Sequence, residues 1–148
     1  MTQSFSTPER AVAEARRWLG TPYVHQASAL GAGCDCLGLV RGVWRALYGV
    51  EPTRVPAYSP YWQEERLDDP LMKAGFEFFE PLDLSALHPG SVLVFQMHSG
   101  SACKHLGVFA GQGDRPSFIH SLSRRGVVES ALTQSWRRRI AAQFAFPK

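Results

Sequence analysis

Apolar residues recur along this chain first at the spacing of helices and later at the spacing of strands. Val12, Ala15, Trp18 and Leu19 fall on one helical face after Thr7-Pro8-Glu9, which supplies an N-cap, a proline at the first helical position and an acid in the first turn. Gly20 ends that predicted helix. Leu37, Val40, Val43, Trp44 and Leu47 mark a second helical face that stops at Gly49, so a buried helix is predicted with Cys36 in its first turn. Between the two, Thr21-Pro22-Tyr23, Gly31 and Gly33 predict a loop. Prolines at 52, 56 and 60 break the next segment, and Trp62 to Leu67 predicts a short helix continuing to Met72.

The pattern then changes. Phe76, Phe78 and Phe79 are expected to open a β-rich half, followed by strands over 91–97, 105–110, 117–121 and 127–129. The turns between them contain His88-Pro89-Gly90, His98-Ser99-Gly100 and Gly111-Gln112-Gly113. Short connections imply antiparallel pairing. The expected architecture is one α+β domain over 1–148, with N-terminal helices packed on a central antiparallel β-sheet.

Composition changes this picture little. A chain of 148 residues, 45% hydrophobic, suits a single core, and no repeat or low-complexity tract is present. Three cysteines form no disulfide framework and leave at least one thiol free, which suits a reducing compartment or a reactive thiol. Residues 1–8 lack the basic and apolar regions of a signal peptide, and no run is long enough to span a bilayer; cytoplasmic synthesis is the expectation. The net charge of +3 gathers at Arg124-Arg125 and Arg137-Arg138-Arg139, which read as a solvated face or a docking site for an anionic polymer. Basic residues interleaved with aromatics are absent, which argues against nucleic acid as a partner.

Candidate chemistry centres on Cys36. A thiol in a first helical turn meets unpaired N–H groups and the positive end of the helix dipole, so a lowered pKa and a nucleophilic role are expected. The competing role is that of a small buried hydrophobe. His105 opens one predicted strand and His120 closes its neighbour, so pairing can join the imidazoles: one as general base, the other to orient it. A second constellation, Cys34-x-Cys36 with Cys103-x-His105, offers four zinc donors, but Cys-x-Cys gives a tight bite and metal would consume the nucleophile. Neither a metal nor another cofactor is expected. Cys34 and Cys103 are read instead as packing residues able to trap Cys36 in a disulfide. Asp35 reads as a helix cap, and His25 as a loop residue able to meet substrate or solvent. Trp18, Trp44 and Trp62 read as core.

Five blocks carry a resemblance. Gly20-Thr21-Pro22-Tyr23, Asp35-Cys36-Leu37-Gly38-Leu39-Val40, Pro89-Gly90-Ser91-Val92-Leu93-Val94-Phe95, His105-Leu106-Gly107-Val108-Phe109 and Phe118-Ile119-His120 resemble the NlpC/P60 cysteine peptidases in order and approximate spacing. The chain looks most like the short members of phage tails, prophages and gene transfer agents. The resemblance implies a papain-like fold and hydrolysis of peptidoglycan stem peptides, commonly between D-glutamate and a diamino acid. It assigns Cys36 as nucleophile, His105 as base and His120 as orienting residue. Tyr23 would lie near the oxyanion with the Cys36 N–H as second donor. Leu37 stands where the family usually has a substrate-holding serine, and Val24-His25-Gln26-Ala27 where many members have Trp-Gly-Gly, so the groove wall is expected to differ. Implied partners are the stem peptide and tail proteins. The alternative is a non-catalytic wall-binding or structural module of a tail-type assembly.

Overall fold

The computed structural model describes residues 6–54, 69–97, 104–111 and 113–148. The helix expected from Trp62 therefore lies outside the described residues as far as 68, as do His98 and Cys103. Helix α1 spans Thr7–Arg17, one position earlier than expected at its start: Ser6, not Thr7, is the N-cap, its hydroxyl accepting from Glu9 N–H at 3.3 Å. Ala11, Val12, Ala15 and Trp18 are buried, but Leu19 is 43% exposed because the helix has ended before it.

The expected loop contains a small hairpin, β1 (Ser28–Ala29) with β2 (Gly33–Cys34). Helix α2 follows over Cys36–Tyr48, capped by Asp35 and ended by Gly49 at φ +90°. Its glycines set its position. A Cβ on Gly42 would lie 2.0 Å from the Trp18 ring, and one on Gly38 would lie 1.8 Å from the Ala27 carbonyl oxygen. So α1 and the hairpin loop approach α2 more closely than any larger side chain permits, and Leu39, off the expected face, is wholly buried too.

Helix α3 spans Pro70–Phe78, with Asp69 as N-cap. Here Phe76 and Phe78 are helical, contrary to the expectation of a strand, and β3 (Glu80–Leu82) begins only after them. The Asp-Pro start outweighs the aromatic content, and Gly75 lets α3 sit against the Phe144 ring. The remaining strands are β4 (Val92–Phe95), β5 (His105–Gly111), β6 (Ser117–Leu122), β7 (Gly126–Ala131) and β8 (Ile140–Ala145), with a one-turn helix α4 (Gln134–Arg137) before β8. They form an antiparallel sheet in the order β3-β8-β4-β5-β6-β7. The last strand thus returns between β3 and β4. Its Gln143, fully buried, accepts from His88 N–H and Ser91 hydroxyl and donates to the Asp83 and Ala86 carbonyls, so a buried amide pins the whole 83–91 connection.

The period-two alternation sorts the sheet into two faces. Val92, Val94, Leu106, Val108, Ile119 and Val127 pack under α1 and α2. Leu93, Phe95, Phe109 and Phe118 form a second cluster with Leu87 and Leu132, covered in part by Trp136 of α4. The expected α+β architecture, helices first and antiparallel strands second, is the observed one.

Candidate active site

Two elements meet at the site: the first turn of α2 and the start of β5. Asp35 is 3% exposed, and its carboxylate accepts from Gly38 N–H at 2.7 Å and Gln26 N–H at 2.8 Å. The carboxylate therefore holds the helix start and the hairpin loop together, the role expected of a cap. The next residue, Cys36, is partly buried, and its sulfur lies 3.9 Å from the Lys104 carbonyl oxygen, toward which the thiol donates. The Leu106 N–H also points at the sulfur. The thiol thus touches the backbone on both sides of His105.

Electrostatics at that sulfur run opposite to the sequence expectation. Burial pushes the Cys36 thiol up to about 12, the Asp35 carboxylate adds to the rise, and the N–H groups of Leu106, Leu37 and Cys36 itself offset only part of it. The dipole of the helix is present, but desolvation is larger. Cys34, fully buried on β2, is likewise raised to about 11, chiefly by burial.

The imidazoles are joined as the strand pairing predicted. His105 Nε2 and His120 Nδ1 lie 2.8 Å apart, and both residues are buried. Their rings stand on the second face of the sheet. Phe95 and Trp136 flank His105 at ring separations of 5.7 and 5.6 Å, and Phe118 and Trp136 flank His120 at 4.1 and 5.2 Å. Gly107 makes room for this cluster, since a Cβ there would come within 2.8 Å of the Phe118 ring and 3.4 Å of the His120 Cβ. Burial, with His120 adding to it, holds the His105 imidazolium down to about 3; burial alone holds His120 to about 4. At neutral pH the site is a thiol and two neutral imidazoles.

The remaining candidates sit around this centre. Tyr23 bridges to Cys34 and is partly buried; burial and the nearness of Cys36, Asp35 and Cys34 push its phenol up to about 12, so it stays a hydrogen-bond donor. His25 Nδ1 stands 3.8 Å from the Asp35 carboxylate. Leu37 packs against the core under the helices. Of the zinc constellation, Cys103 lies outside the described residues, and among the described residues no three His, Cys, Asp or Glu side chains converge enough to hold a metal. Two site neighbours escaped the sequence reading. Trp136 comes from a one-turn helix without usable periodicity, and Ser130, whose Oγ is 2.8 Å from His120 Nε2, is an ordinary strand serine until the register is known.

Comparison with known proteins bears on the fold and the family. The gamma-DL-glutamyl hydrolase of Bacillus subtilis (strain 168) is 27% identical over 125 residues, 84% of this chain and 26% of that protein. The murein DD-endopeptidase MepS/murein LD-carboxypeptidase of Escherichia coli (strain K12) is 26% identical over 123 residues, covering 82% of this chain and 54% of the relative. This chain therefore spans about half or less of either relative's length. Among solved structures, the NlpC/p60 domain of the peptidoglycan hydrolase SagA superposes with a TM-score of 0.63 at 21% identity, covering 94% of this chain and 98% of that one. An NlpC/P60 family protein from Bacillus cereus ATCC 10987 gives 0.65 at 20% identity, over 95% of this chain and 40% of the other. The fold is thus the papain-like one of these proteins. Residues 20–144, all but the two ends, match the profile of the same family, and on that match this chain belongs to the NlpC/P60 family.

Proposed function

We propose that this chain is a cysteine endopeptidase that hydrolyses peptidoglycan stem peptides, with Cys36 as nucleophile, His105 as general base and His120 as the residue that orients it. The observation that carries this reading is the 2.8 Å contact between His105 Nε2 and His120 Nδ1, beside a sulfur set against the backbone of Lys104 and Leu106. With Nε2 engaged, Nδ1 is the ring nitrogen left to take the thiol proton. The sulfur turns from the Lys104 carbonyl toward that nitrogen as substrate enters; such contacts are often loose without substrate.

Because thiol and imidazole are both neutral at rest, proton transfer accompanies attack instead of preceding it. The sulfur bonds to the scissile carbonyl carbon, and the carbonyl π pair moves to oxygen. In this reading the Cys36 N–H and the Tyr23 phenol donate to that oxyanion. On collapse the C–N bond breaks and His105 returns the proton to the leaving amine. Water then enters, giving a proton to His105 and a hydroxyl to the acyl carbon; the C–S bond breaks, and His105 returns that proton to the leaving sulfur.

The name of the Escherichia coli relative, a murein endopeptidase, supports a wall peptide as substrate, that of the Bacillus subtilis relative supports hydrolysis at a gamma-glutamyl group, and the resemblance noted in the sequence favours the bond between D-glutamate and the diamino acid. Delivery as part of a phage-tail or gene-transfer-agent particle is the narrowest part of the reading and rests on that resemblance alone. Mass spectrometry of muropeptides digested by the wild type and by Cys36→Ala tests activity and bond together. The expected result is new amine termini with the wild type only; a wild type that releases none from any peptidoglycan overturns the reading. One observation favours the second reading, a non-catalytic wall-binding module: the raised thiol. Under that reading Cys36 resists alkylation even with stem peptide bound.

A further inference from the structure

A histidine that orients another is itself free to hold its proton on either ring nitrogen, so something must decide which. For His105 to keep Nδ1 bare as a base, its proton must sit on Nε2 and be donated to His120 Nδ1 across the 2.8 Å contact. His120 must then carry its own proton on Nε2. That N–H needs an acceptor, because His120 has no exposed surface and an unpartnered buried donor is costly.

Ser130 is placed to supply it. Ser130 pairs with Phe118 across β6 and β7, and Phe118 shares a sheet face with His120, two positions on. Its Oγ lies 2.8 Å from His120 Nε2. Ser130 is partly exposed on the edge strand, so its own hydroxyl proton has solvent to go to, whereas His120 has none. The opposite arrangement, with Ser130 donating to Nε2, would put the His120 proton on Nδ1 and force His105 to carry its proton on Nδ1. That would block the base.

We infer that Ser130 is a positioning residue that selects the tautomer of His120 and, through it, the tautomer of His105, making the working array Cys36–His105–His120–Ser130. The inference rests on the catalytic reading above for its effect on rate, but the tautomer it assigns stands apart from activity. It also survives the reaction step. When His105 takes a second proton on Nδ1, its Nε2–H still points at His120 and the array keeps its direction.

The experiment compares Ser130→Val with Ser130→Thr, which share a branched shape suited to a strand and differ in the hydroxyl. Nitrogen NMR of histidine-labelled protein reports which ring nitrogen of His120 carries the proton, with or without substrate. The wild type and Ser130→Thr are expected to show Nε2–H; Ser130→Val is expected to show a substantial Nδ1–H population. On stem peptide, Ser130→Val should lower kcat about tenfold, the scale of one lost hydrogen bond between neutral groups, with KM nearly unchanged and Ser130→Thr restored. A Ser130→Val protein with wild-type tautomers overturns the inference, and so does one with wild-type kcat. If the wild type hydrolyses no wall peptide, the catalytic reading falls and the nitrogen spectra alone decide Ser130.

Discussion

The two faces of the sheet have different contents and different tasks. The face under α1 and α2 is filled mainly by valine, leucine and isoleucine, while the other face is lined by Phe95, Phe109, Phe118 and Trp136 and holds both site imidazoles. Branched aliphatic side chains interlock with helices and tolerate no polar guest without a partner. Flat rings, by contrast, stack against imidazoles and keep water from them while leaving their edges free for in-plane hydrogen bonds. Burial then does on this face what a charged neighbour does elsewhere: it keeps His105 and His120 neutral and therefore basic in function. Cys36 sits between the two, on a helix from the first face with its sulfur at the strand that carries the second.

This contrast can be broken first at the sulfur. Cys36→Ala should cost roughly 10^4-fold or more in wall-peptide hydrolysis, because residues acting as a unit fail together, with thermal unfolding near that of the wild type. His105→Ala should match it. Next, Gly38→Ala should destabilise the protein by about 3 kcal/mol or more in denaturant unfolding, since the new methyl meets the Ala27 carbonyl oxygen at 1.8 Å. That result would show that the helix face needs the hairpin loop as closely as it needs its apolar core.

Trp136→Ala sharpens the comparison from the other side. Opening the aromatic face should hydrate both imidazoles and raise the acid limb of the pH–rate profile, while kcat near neutral pH falls about tenfold. In the wild type that limb should lie well below the range of a free histidine. The same shifts fix the sign of acid sensitivity. His105 and His120 have folded pKa values near 3 and 4, below the unfolded value, so the unfolded chain binds more protons between about 6.5 and 3. Stability should therefore fall on acidification through that window. Cys36, raised to about 12, works in the other direction: stability should fall as pH rises from about 9 toward 12. The smallest effect on the chemistry is expected from Asp35→Asn, which keeps a capping oxygen for the Gly38 N–H and removes the charge beside Cys36 but sets its amide NH2 against the Gln26 N–H, so thiol alkylation should become modestly faster while stability falls by about 1–2 kcal/mol.

Much of this molecule was legible in the order of its residues. The spacing of Val12, Ala15, Trp18 and of Val40, Val43, Trp44 located two helices; the turns at Pro89-Gly90 and Gly111 to Gly113 bounded strands that pair antiparallel; and the placing of His105 and His120 on successive strands brought their rings together. These are local signals, and local backbone preference obeys them. Three features followed from tertiary structure alone. The seat of α3 against the sheet and the inner position of β8 depend on how Gly75 and Phe144 approach, a contact between residues far apart in the chain. The sign of the Cys36 shift depends on how much protein surrounds the sulfur, which the helix dipole does not report. Ser130 and Trp136 join the histidines only through strand register and the turn of α4. Periodicity encodes which face of an element is buried; the field and the neighbours at one atom are sums over every element that reaches it.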